Sequence, residues 1–145
     1  MRMAAVTELA RRLLTDEAGG DQNPPPLIAA AERAFEKLRV HLSKRIGQEG
    51  FRTLLARSLV LAKAQCPALS AVQVGADARL EGLRADKPGE TNSENLERAV
   101  TLLSHFLLLL ITFIGDDLTL RIIHALWPML PLDDMTGPEE ETPYE

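Results

Sequence analysis

The chain has a single cysteine, Cys66, among 145 residues, so no disulfide can form within it. That count suits a reducing compartment. Rings are scarce as well: four Phe, one Tyr and one Trp. Leu and Ala supply most of the apolar content instead, which favours helix over strand. The first residues, MRMAAVTELARRLL, lack the unbroken apolar stretch of a signal peptide, because Glu8, Arg11 and Arg12 interrupt them. Cytoplasmic placement is the expectation.

Chelating and phosphate-cradling patterns are missing too. The ligand-capable residues His41, His105, His124 and Cys66 form no His-x-x-x-His or Cys-x-x-Cys pair. The glycines form neither a G-x-x-x-x-G-K loop nor a dinucleotide turn. Cys66 ends an apolar stripe and precedes Pro67, the setting of a structural thiol and not of a nucleophile. His41 falls at the edge of a stripe, His105 on a weakly polar side, and His124 beside Arg121 on a polar side. Asp116 and Asp117 start a helix, where carboxylates cap free N–H groups. No metal, no cofactor and no enzymatic activity is expected.

What is present is helical periodicity. The first helix runs from about Met3 to Thr15, with Val6, Leu9, Ala10, Leu13 and Leu14 at helical spacing. After GGDQNPPP, a second helix covers roughly Pro26 to Ile46, with Ala31, Ala34, Phe35, Leu38 and Leu42 on one stripe. Gly47 stops it. A third runs from about Glu49 to Gln65 through Phe51, Leu54, Leu55, Leu59 and Ala62. Ser58 lies inside that stripe and can bond back to the Leu54 carbonyl. The short link at Gly47 makes the second and third helices a helical hairpin.

Between Pro67 and Ser93 the pattern weakens. Val72 and Val74 alternate with Gln73, and GADA offers a turn, so a short β-hairpin near 71–82 is as well supported as a loop. Thr91 and Glu94 then make a capping box. The fourth helix, about 92–114, is apolar on nearly every side. Its uncharged run is shorter than the roughly 20 residues that a bilayer needs, and it contains Thr101, Ser104, His105 and Thr112. No membrane span is expected. Asp116 caps a fifth helix that ends at Trp127, before Pro128.

These elements give an all-α fold: an irregular five-helix bundle around a hydrophobic central helix. The expected domain is 1–127, followed by a flexible acidic tail over 128–145. Pro128 to Glu145 holds six acids and no Lys or Arg, whereas Leu27 to Cys66 has eight basic residues against three acidic ones. The net charge of −5 thus belongs to the tail.

The fourth and fifth helices carry more apolar surface than one side needs to bury. Leu108, Leu109, Leu120, Ile123 and Trp127 are therefore candidate interface residues. The leading expectation is a non-enzymatic interaction or regulatory module that acts through helical surfaces as a homodimer and contacts a protein partner. Arg33, Lys37, Lys44 and Arg45 form a candidate basic surface. A nucleic-acid footprint there is the alternative, weakened by the interspersed Glu32, Glu36 and Glu49. A further alternative is an enzyme whose site is assembled from distant residues.

Overall fold

The structure, a computed structural model, describes residues 3–18, 24–70, 72–82, 92–128 and 130. Among these are four helices: α1 (Met3–Glu17), α2 (Pro24–Gln65), α3 (Asn92–Ile114) and α4 (Asp116–Leu126). A 3-10 turn at Pro67–Leu69 leads into strands β1 (Gln73–Val74) and β2 (Leu80–Glu81).

The count of five helices is not met, because the expected second and third helices are one element. That element nevertheless bends at the expected glycine. Gly47 has φ 81° and ψ 160°, outside the helical region. Only a residue without a Cβ adopts that state at little cost. Phe35 and Phe51, on either side of it, both touch Phe106, with ring centroids 6.0 and 5.4 Å away. A straight helix would hold them about 24 Å apart. The two arms of α2, residues 24–46 and 48–65, therefore fold back on each other as a hairpin. Gly115 repeats the device between α3 and α4, with φ 90° and ψ 160°.

Helix α3 is the centre, packed along α1 and α2 and meeting α4 at its end. Its Val100, Leu103, Phe106, Leu107 and Leu110 are buried against Leu9 and Leu13 of α1 and Phe35, Phe51 and Leu55 of α2 within one core. By length and composition, Leu96–Ile114 is apolar enough to cross a membrane, contrary to what its shorter uncharged run suggests. Half of that stretch is buried inside the fold, as in a core helix.

The small sheet is antiparallel, with Gln73 opposite Glu81 and Val74 opposite Leu80. Val72 is buried and Gln73 exposed, the alternation expected of a strand over a core. The turn closes through the Gly75 N–H to the Arg79 carbonyl at 2.8 Å. Arg52 Nε donates to the Gly75 carbonyl at 3.3 Å and ties the hairpin to α2. Ser58, fully buried, donates to the Leu54 carbonyl at 2.8 Å, which removes any need for a catalytic reading.

One cap differs from expectation. Gly115, not Asp116, occupies the N-cap position of α4, and it makes no side-chain cap bond. Asp116 and Asp117 sit in the first turn, where their charge still favours the helix dipole. The Thr91 cap and positions 131–145 lie outside the described residues.

Candidate functional site

The five candidate interface residues separate into two groups. Ile123 is 0% exposed and Trp127 2%, both inside the chain's own core. They are corrected from interface to core, because α4 turns back at Gly115 and buries that face. Leu108, Leu109 and Leu120 are half-buried. Phe113, which the sequence reading did not single out, is 70% exposed. It stands one turn after Leu109 on the same side of α3. Thr112 is also exposed, and it donates its hydroxyl back to the Leu108 carbonyl at 2.9 Å. Burial along α3 thus falls away after Leu110, and its last turn presents an uncharged, mainly apolar surface.

Trp127 has a different part to play. Its indole N–H donates to Glu17 Oε1 at 2.8 Å. Lys37 Nζ reaches the same oxygen at 2.7 Å, and Arg33 Nε donates to Oε2 at 2.9 Å. The Glu17 side chain is only 7% exposed. Lys37 Nζ also lies 5.4 Å from the Trp127 ring centroid, within cation–π range. Burial pushes the Glu17 carboxyl up, but the hydrogen bonds from Lys37, Trp127 and Arg33 outweigh it and hold the group below its ordinary value. This cluster joins the end of α1 to α2 and to the residue closing α4.

The candidate basic residues are divided by the same cluster. Arg33 and Lys37 are engaged by Glu17, whereas Lys44 and Arg45 are exposed and pair with no carboxylate among the described residues. Arg45 Nε donates instead to His41 Nε2 at 3.4 Å. Burial, then the charges of Arg45 and Lys44, hold the His41 imidazole below its ordinary value.

A groove of about 520 Å³ opens between the first arm of α2 and the hairpin. Its floor includes Phe35, Leu55 and Ala78, and its rim Glu36, Arg39 and Arg79. Glu36 accepts from Arg39 Nε at 3.0 Å and also from Nη2, and Arg79 Nε stands 3.5 Å from it. The Arg39 hydrogen bond, opposed by burial, holds the Glu36 carboxyl below its ordinary value. The groove is lined by none of His41, His105, His124 or Cys66.

His105 shares a 2.9 Å hydrogen bond with Gln65, and burial lowers its affinity for a proton. His124 is exposed, and Cys66 is a half-buried free thiol. Among the described residues, no three His, Cys, Asp or Glu side chains come together as a metal would require. No family model matches the chain, and neither a curated protein nor a solved structure does.

Proposed function

We propose that the chain is a non-enzymatic interaction module that associates with a second copy of itself through the last turns of α3. The observation that carries this reading is the exposure of Phe113 beside half-buried Leu109. A wet aromatic ring forfeits roughly 1.5–3 kcal/mol relative to a buried one. In a two-fold interface the same patch meets itself, so an uncharged patch incurs no like-charge repulsion. Leu108, Leu109, Thr112 and Phe113 contain no ionisable group, which suits that arrangement. Leu120 of α4, half-buried, stays a candidate in the same proposal.

A cytoplasmic setting accompanies this proposal, in keeping with the lone thiol. A protein partner is part of the same reading. The basic surface supports a nucleic-acid role less well, because Glu17 already engages Arg33 and Lys37.

Sedimentation of the wild type and of Phe113→Glu over a range of concentrations tests the proposal, with circular dichroism as the check on folding. Dimeric wild type and folded, monomeric Phe113→Glu are expected. Wild type that stays monomeric throughout would remove self-association from the proposal.

A further inference from the structure

One row on the first arm of α2 is Arg33, Lys37, Val40 and Lys44, at successive spacings of four, three and four residues, with His41 and Arg45 alongside. All are exposed except His41, which is half-buried, and Val40 is 46% exposed. The near end of the row, Arg33 and Lys37, is compensated by Glu17. The far end is not. Lys44 and Arg45 have no carboxylate partner among the described residues; Arg45 Nε donates to His41 one turn earlier, whose imidazole is held below its ordinary value by burial and then by the charges of Arg45 and Lys44.

The complementary charge lies in the same chain. Positions 131–145 contain Asp133, Asp134, Glu139, Glu140, Glu141 and Glu145, and no Lys or Arg. The chain enters that stretch from Leu130, which is buried and donates its N–H to the Trp127 carbonyl at 3.2 Å. Trp127 in turn carries the Lys37 ammonium over its ring. Leu130, the last described residue before the acidic segment, is thus bonded to the residue whose ring lies under Lys37 at the near end of the row. From Lys37 to Lys44 the row is about 10 Å long. The nine residues from Pro131 to Glu139 reach about 30 Å when extended. Length imposes no barrier to reaching Lys44 and Arg45.

We propose that this row on α2 is the seat of the chain's own acidic segment, residues 131–145, engaged within one molecule. The occupant is favoured over an external acidic chain because the tether supplies a local concentration in the millimolar range. Individual exposed ion pairs are weak and screened by salt, so the contact is a reversible cover and not a permanently docked element. An acidic partner approaching α2 has to displace it. The proposal is independent of self-association through α3, which uses other residues.

The test uses the full chain and the substitutions Glu139→Gln, Glu140→Gln and Glu141→Gln together. Their effect is read from NMR shifts of the Val40 methyls and of the Lys44 and Arg45 side chains at low salt. Those signals are expected to move in the variant, and wild type at about 1 M salt, where the screening length is about 3 Å, is expected to approach the same positions. A deca-glutamate peptide, titrated as probe, is expected to bind the variant at least about threefold more tightly than wild type, since the competing segment is weakened. Unchanged Val40, Lys44 and Arg45 signals, or equal peptide affinity for both proteins, would overturn the proposal. Shifts that appear only as protein concentration rises would overturn it too, because the seat would then be filled by another molecule's segment.

Discussion

Glu17 illustrates how much a single carboxylate can organise. Three donors converge on it: Lys37 and Arg33 from α2, and the Trp127 indole, 110 residues away. Glu17→Ala leaves the buried indole N–H without an acceptor, a loss of about 1–3 kcal/mol. The half-exposed Arg33 and Lys37 recover much of their hydration, so their ion pairs add little. Urea denaturation followed by Trp127 fluorescence measures the change, and a difference within about 0.5 kcal/mol would show that the cluster is not a structural tie. The acid limb has a definite sign. The folded-state carboxyl lies below its ordinary value of 4.5, so the unfolded chain binds the proton more readily. This contribution is fully present above pH 4.5 and is lost as pH falls through the lower folded-state value. Glu17→Gln should flatten the fall in stability below pH 4.5. His105 behaves differently, because burial holds its imidazole below the ordinary 6.5. The unfolded chain protonates first, and stability declines as pH drops from 6.5 towards the folded-state value. Stability measured at about pH 7.5 and about pH 5.5 should differ less in His105→Gln than in wild type. An equal difference would mean that His105 does not contribute.

At the level of elements, two glycines set the architecture. Gly47 and Gly115 both take a positive φ, at 81° and 90°, and a Cβ on either would meet no atom within 4 Å. Substitution by Ala therefore meets no steric obstacle, and its cost is conformational. Gly47→Ala and Gly115→Ala should each destabilise by about 1–3 kcal/mol without changing the core. Denaturant midpoints check this, and wild-type midpoints in both variants would mean that the bends are not needed. Gly47 was legible as a break because it separates two apolar stripes of different phase. The fold-back of the two arms follows from the same break. The hairpin was signalled by the alternation of Val72, Gln73 and Val74 before GADA, yet pairing Val74 with Leu80 needed the surface of α2 to rest on. The N-cap role of Gly115 was not legible, because acidic residues such as Asp116 suit both the cap and the first turn. Glu17 and Trp127 left no joint signal, since their partnership depends on how four helices meet and no local period encodes it.

For the whole molecule, the decisive contrast is between apolar residues that close the fold and those left at its end. A helical wheel gave Ile123 and Leu109 the same candidacy for an interface. Burial separates them: Ile123 is part of the core with Trp127 and Phe106, whereas Leu109 is half-buried beside exposed Phe113. The missing information was where α1 and α2 cease to cover α3, a property of the assembled bundle. Introducing a charge discriminates between the sites, because an ionised group deprived of water costs several kcal/mol while one at a wet site costs little. Ile123→Glu should lose more than about 4 kcal/mol, enough to leave a bundle of ordinary stability partly unfolded at ambient temperature. Phe113→Glu should stay within about 1 kcal/mol of wild type as a monomer, since its side chain already faces solvent there. Leu109→Glu should fall between the two. Thermal melts, run at protein concentrations where each variant is monomeric, give this ordering directly. Equal losses in Ile123→Glu and Phe113→Glu would mean that the last turn of α3 is covered within the monomer, and the surface left for a second copy would then vanish with it.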